Sequence, residues 1–558
     1  MKKFQISNFK FQITKTYFLV ILLIIVTSAL RLFLVGHVPP SPDWDEAALG
    51  YNAYSILHTG RDEYGQFMPI VLRSFDDYKP ALYSYLIIPS LFIFGLSIEA
   101  VRMPSILFGI TTVVVVYFLC RDLFHNNKLS FLIALLLALS PWHIQFSRIG
   151  FESNVGLSLN IIGAYFFLKG MQKYYLLPLS VIAFVASLYV YQSEKVFVPL
   201  FVCLLIFISF NNIKKVSKKY LFSSILVGLI LVMPLGFYLA TNTNALARAK
   251  GVSVFSDTSN STQTSLRVRQ DKENHDYVGL LIDNRRVIYG KEIIANYLTH
   301  FDLRWLFLNG DVSRHHAPFM GLLYLWELPF LLIGIYCFLF SKYSLNTKIF
   351  IFGWFLLAPL PASVTTGVPH AVRTLNFLPT FQIFIAFGVF TVFEKLLRST
   401  YHIAKIQIKY LVILFSFCIF LFNFIYFLDQ YFVQQNYYNS LDWQYGYQEA
   451  IATISKLPAK HVIVSNQPPL DQSYMFFLFY LRYDPNLYQK ETRFASGGFR
   501  ENHSFGKYEF RPINWKDEKK DSNILYVGRP SDFSESTTAL KRIEYLNNEG
   551  AIEIVRGE

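Results

Sequence analysis

Two adjacent carboxylates, Asp45 and Glu46, stand in the stretch PDWDEAALG, just after the first strongly apolar run of the chain. A carboxylate held in a desolvated cleft can take a proton from a hydroxyl as that oxygen attacks. The same residues also read as a helix start, because SPDWDEA places acids where the positive end of the helix dipole favours them. Both readings can hold together: a cap residue fixes the backbone while a neighbour presents its carboxylate.

Cations recur in comparable positions. Lys79 precedes Pro80 in SFDDYKPALYSY; an ammonium there binds phosphate as a point charge, although snorkelling alone explains many lysines at an apolar boundary. Pro80 is expected at the first turn of a short helix. Asp76 and Asp77 could hold a divalent cation, but two adjacent acids are thin evidence for a metal. In SPWHIQFSRIGFESN, Arg148 and Glu152 are four residues apart, which allows an ion pair if one helix runs through both. Arg102 stands at the start of another apolar run, and TTGVPHAVRTLNFLP carries His370 and Arg373. Arg314, His315 and His316 in GDVSRHHAP could form part of a site, yet adjacent histidines do not share a helical face. The spacing therefore predicts no metal centre and no cofactor, while leaving the use of a divalent cation open.

The elements that must position these groups are apolar. Residues are 53% hydrophobic and only 16% charged, against about 25% charged in an average soluble domain. Runs near the 20 or so residues that cross a bilayer begin near Tyr17, Val101, Leu129, Val155, Tyr175, Val196, Tyr220, Pro318, Lys348, Thr374 and Leu411. Leu82 to Leu96 is shorter, contains Pro89, and is expected to be interfacial. With that run not crossing, the inner segments hold 18 Lys and Arg against two acids, the bias of cytoplasmic loops. The expectation is a polytopic α-helical membrane protein of eleven spans, amino terminus cytoplasmic and carboxyl terminus outside, in the cell membrane. The apolar segment after the basic Met1–Lys15 is too long for a secretory signal and is read as a retained span.

This parity puts residues 36–100, the loop at 241–317, TTGVPHAVR and everything beyond residue 431 on one outer face. Residues 1–431 are expected to be the membrane domain and 432–558 a small extracytoplasmic α/β domain, since helix-like WQYGYQEAIATISKL and YMFFLFYLRY alternate with strand-like HVIVS, NILYVG and AIEIVRG. The net charge of +13 falls in short inner clusters, so topology explains it and nucleic acid is not an expected partner. The four cysteines lie in or beside apolar runs, with neither disulfide nor zinc spacing. Few charges interrupt the middles of the runs, which argues against an ion-coupled transporter.

Taken in order, the DE pair in a long outer loop, KP before a short apolar run, RMPSILFG with VVVVYFLCRDLF, and SPWHIQFSR with an acid four residues on resemble the GT-C glycosyltransferases. The nearest branch is that of protein O-mannosyltransferases and lipid A aminoarabinose transferases, and the resemblance runs from Thr16 to Pro379. It implies transfer of a sugar from a polyprenyl-phosphate carrier to a hydroxyl of a protein, lipid or glycan, with inversion, in contact with the lipid bilayer. By motif position it implies Asp45 as general base with Glu46 as its partner, and Lys79 on the donor phosphate. Arg102, Arg148, Glu152, His370 and Arg373 are further donor contacts. It implies no metal in the catalytic step. Ala48 stands where the aminoarabinose branch has arginine, Ala81 where it has a second proline, and Glu152 where many relatives have Asp, so the sugar stays open. A flippase for lipid-linked sugars would use the same groove without cleaving the sugar phosphate, and a receptor would use only the outer domain.

Overall fold

The computed structural model describes residues 2–75, 77–242, 251–256, 258–398, 402–403, 406–492 and 501–558. Asp76, one of the two candidate cation ligands, lies outside the described residues. The chain begins with a long helix α1 (Lys2–Leu32), and Asp43 then caps α2 (Trp44–Thr59) by accepting the Glu46 N–H at 2.8 Å. Gly60 ends α2 in the left-handed region at φ 69°, where a side chain would be strained.

A tight antiparallel hairpin follows, β1 (Val71–Ser74) against β2 (Asp77–Pro80), with Lys79 opposite Leu72. Pro80 therefore ends a strand, and the short apolar helix α3 (Leu82–Phe94) starts two residues later. The expectation of Pro80 in a first helical turn is corrected: Ala81 N–H bonds Ile70 O at 3.1 Å and continues the hairpin. The bundle continues with α4 (Ile98–Phe124), α5 (Asn127–Leu139), α6 (Pro141–Arg148), α7 (Glu152–Gly170), α8 (Leu177–Leu188), α9 (Glu194–Ile213) and α10 (Lys218–Thr241).

Each of the eleven apolar runs overlaps a helix. Among the described residues, six helices are long and apolar enough to cross a membrane by length and composition. A seventh crossing would be α5 with α6, bent by 58° at Ser140–Pro141, where proline removes a donor and clashes with the preceding turn. Thr16–Leu32, Tyr174–Leu188 and Glu327–Leu339 are shorter apolar helices, as is α3. The run from Pro318 starts in a loop, and its helix begins only at Glu327. The break between α6 and α7 also means that no single helix carries both Arg148 and Glu152.

The carboxyl-terminal region carries a six-stranded mixed sheet in the order His503–Phe505, Tyr508–Phe510, His461–Val464, Ile524–Gly528, Gly550–Arg556, Lys541–Glu544. The buried helix Ser473–Leu481 packs on this sheet and on α2. Helices and strands alternate as the composition of the tail suggests. One apolar core runs without interruption from Val101 and Tyr51 through Phe479 to Phe505 and Leu525. α2 is thus the piece wedged between bundle and tail, which is why its first turn is held so firmly.

Candidate active site

Capping sorts the three acids at the start of α2. Asp43 is fully buried, and its second oxygen takes the Arg314 guanidinium at 2.8 Å. Burial pushes its carboxyl up to about 6 despite the opposing pull of Arg314. Arg314 also lies over the Trp44 ring, 4.1 Å from its centroid, so a cation–π contact and an ion pair orient it together. Asp45, one turn position on, keeps a quarter of its side chain exposed and pairs with the buried Lys79 delivered by β2. Glu46 turns the other way, into the protein.

Asp45 and Lys79 open on a cavity of about 180 Å³ that is also lined by Phe151, Glu152, Tyr191, Gln192, Arg314, His315 and His370. Glu152 enters from the first turn of α7, where a carboxylate is favoured by the helix dipole. Gln192 donates to Tyr78 O at 2.5 Å and ties the cavity wall to the hairpin. His315 is buried, sits against Phe146 and Phe151, and bonds Asp311 through Nδ1 at 2.9 Å. Burial pushes the Asp311 carboxyl up, but hydrogen bonds from His315 and the Ala371 amide, with the nearby histidines, outweigh it and hold the group at about 2. Burial lowers the His315 ring below its ordinary value, against the opposing pull of Asp311.

The expected catalytic partner Glu46 and three of the expected donor contacts lie outside this cavity lining. Glu46 is almost wholly buried and accepts two bonds from Arg102, each 2.9 Å, and one from the Gly150 amide at 2.7 Å. Arg102 uses its remaining nitrogens on the carbonyls of Val35, Pro39 and Ser41 at 2.7–3.1 Å. Arg148 donates to the carbonyls of Leu30, Arg31, Phe33 and Val38 at 2.7–3.0 Å. It thereby satisfies the end of α1, where helix carbonyls have no internal partners. Both arginines are fully buried, with these carbonyls and Glu46 as their hydrogen-bond partners. Arg373 reaches Thr365 Oγ1 at 2.6 Å and Thr366 O at 2.8 Å, within its own loop and outside the cavity lining.

Asp45, Lys79, Glu152 and His370 are therefore brought together, whereas Glu46, Arg102, Arg148 and Arg373 are not. Sequence reasoning passed over Asp43, Asp311, Tyr191 and Gln192. For Asp43 the signal was present in SPDWDEA, where the cap should be the acid before the tryptophan. Asp311 gave one too: it lies four residues before His315, a spacing at which side chains meet.

Residues 78–238 match the family model of dolichyl-phosphate-mannose-protein mannosyltransferase. Among solved structures, ArnT from Cupriavidus metallidurans in the apo state has 12% identity and a TM-score of 0.52, with 98% of each chain covered. ArnT bound to undecaprenyl phosphate gives 0.53 at the same identity and coverage. The archaeal oligosaccharyltransferase AglB from Archaeoglobus fulgidus, in complex with an inhibitory peptide and a dolichol-phosphate, has 11% identity and a TM-score of 0.47, over 92% of this chain and 70% of that one. No match arises among curated protein sequences. The ArnT likeness fixes the fold: a GT-C membrane bundle with a sheet-bearing carboxyl-terminal region, as the sequence motifs imply.

Proposed function

We infer that this chain, GT-C in fold and mannosyltransferase-like over the segment that carries Lys79, is a glycosyltransferase that moves a sugar from a polyprenyl-phosphate carrier to a hydroxyl on the outer face of the cell membrane. The carrying observation is the pairing of Asp45 with Lys79 on one cavity that Glu152 and Arg314 also line. A donor phosphate entering that cavity meets two cations, and an ammonium has three N–H donors with which to hold both Asp45 and a phosphate oxygen.

In the step, the acceptor hydroxyl loses its proton to Asp45 as its oxygen attacks the anomeric carbon. The bond from that carbon to the phosphate oxygen breaks, and polyprenyl phosphate leaves with its charge balanced by Lys79 and Arg314. A single displacement of this kind inverts the anomeric centre. A placed general base contributes typically about 10²–10⁴ in rate, and fixed cations at a developing phosphate charge contribute most of the remainder. No nucleotide is required, because the lipid phosphate is already the leaving group.

The tail of such a donor needs an apolar path. A groove of about 560 Å³ between α8, α9 and α10 is lined by Phe184, Leu188, Val198 and Leu229. One lining residue, Leu188, lies three residues before Tyr191 of the cavity wall, which supports this groove as the path of the lipid. The sugar, and whether the acceptor is protein, lipid or glycan, are properties of the bound substrates.

The test is reconstitution in vesicles with a polyprenyl-phosphate sugar. Release of polyprenyl phosphate coupled to a glycosylated acceptor supports transfer. Movement of the intact donor across the bilayer without cleavage would replace it with the flippase reading.

A further inference from the structure

The loop that follows the π-helical turn Trp305–Asn309 brings Asp311 and His315 against His370 of a loop some sixty residues later. Adjacency in sequence set His315 beside His316, but folding separates that pair. His316 bonds the carbonyls of Ala317 and Asp311 at 2.7 and 2.5 Å. His315 instead faces Asp311, and the His315 and His370 rings lie 5.2 Å apart. One ligand atom from each of Asp311, His315 and His370 falls within 4.8 Å of the other two. Zinc bonds of about 2.0–2.2 Å set neighbouring ligand atoms roughly 3–3.6 Å apart, so small side-chain rotations close the set around one ion.

We propose that Asp311, His315 and His370 bind one divalent cation of the zinc class, with its open coordination position facing the cavity that holds Asp45 and Lys79. Two imidazoles and one carboxylate are a borderline-soft donor set suited to zinc rather than magnesium or calcium, which take oxygen ligands. The surroundings are those of a supported metal site. The Ala371 amide donates to Asp311 Oδ2 at 2.6 Å, His300 Nε2 accepts the His370 amide at 3.3 Å, and Phe146 and Phe151 fix the plane of the His315 ring. Such outer contacts orient ligands before the ion arrives. His315 and His370 also line the cavity, so three protein ligands leave a fourth position for water or a substrate oxygen. With one carboxylate and two neutral imidazoles, the bound ion adds a net positive charge beside Lys79 and Arg314. A phosphate or sugar oxygen is the ligand that this charge would favour.

The proposal concerns binding, so it stands or falls apart from sugar transfer. The full-length protein in detergent is stripped with a chelator, reloaded with Zn2+, and its bound zinc is measured after gel filtration. Wild type is expected to retain one equivalent per chain. His370→Gln and Asp311→Asn are expected to bind more than about 100-fold more weakly, since even second-layer changes cost 10–100-fold. His316→Gln is the control and should bind as wild type does. Zn2+ should also raise the melting temperature of wild type and not that of His370→Gln, which decides the matter if Asp311→Asn fails to fold. A monodisperse wild type that takes up no stoichiometric zinc would overturn the site. So would a His370→Gln variant that binds as tightly as wild type, leaving the three residues as a plain hydrogen-bonded tie between two loops.

Discussion

Glu46 and Arg102 form a doubly hydrogen-bonded ion pair with both side chains out of contact with solvent. Of two neighbouring acids, one thus serves the cavity and the other locks α2 to α4. Breaking a buried pair by removing one partner costs about 3–5 kcal/mol, because it strands the other charge. Glu46→Gln should therefore lower the melting temperature in detergent sharply, while the fraction that stays folded keeps its KM for donor. A Glu46→Gln protein with unchanged stability and abolished turnover would return Glu46 to the chemistry.

Arg148 makes a similar case. Its guanidinium satisfies four backbone carbonyls, two in the last turn of α1 and two just beyond it, and lies 4.8 Å from the centroid of Phe432. Lysine has a point charge and no fork geometry. Arg148→Lys should destabilise the protein without changing the salt dependence or KM of donor binding, measured side by side on folded protein.

The carboxyl-terminal region is expected to be inseparable from the bundle. Gln489 donates to Ser55 Oγ, Thr59 Oγ1 and Asp62 O at 2.9–3.1 Å, and Tyr51 meets the Tyr488 ring edge-on. At Gly50 a Cβ would come within 2.6 Å of Val101 and 2.8 Å of Phe479. Gly50→Ala must then spread α2 from α4 or from the tail, and overpacking of this kind costs typically about 1–3 kcal/mol. Deleting residues 432–558 should leave an aggregating remainder on gel filtration, since it uncovers the apolar face of α2. A monodisperse, active remainder would contradict the shared core.

Stability should depend on pH through Glu63. Burial, opposed by a hydrogen bond from Asn52, raises its carboxyl from 4.5 to about 8. Below pH 4.5 folded and unfolded chains both carry the proton, so Glu63 is neutral in its effect. Between pH 4.5 and about 8 the unfolded chain releases it while the folded chain retains it, so stability declines as pH rises through that window. Glu63→Gln keeps an acceptor for Asn52 and removes the titration. Its advantage in melting temperature over wild type should be small near pH 5 and grow toward pH 8, whereas a constant difference would contradict the raised carboxyl.

Much of this fold is legible in the sequence because hydrocarbon leaves so few choices: apolar runs must be helices, and each of the eleven overlaps one, although among the described residues six of the helices are long and apolar enough to cross. The ends were harder to read. Pro80 was expected to open a helix because nothing local distinguishes that position from the end of a strand, and the hairpin is fixed by pairing with Val71. Site residues divide on the same principle. Asp45 and Lys79, which order and spacing along the chain single out, do meet on one cavity. For Arg102 and Arg148, an arginine at a helix mouth gives no sign of which carbonyls will surround it once the chain folds. Asp311 and His370 were linked only by tertiary structure, across sixty residues with no shared period.

The central claim is that Asp45 takes the acceptor proton in sugar transfer from a polyprenyl-phosphate donor, and single-turnover transfer by purified Asp45→Asn tests it most directly. The substitution preserves shape and removes the base. With a melting temperature close to that of wild type, the account predicts a loss of roughly 10²–10⁴ in rate while donor remains bound. Transfer at the wild-type rate by the folded variant would contradict it.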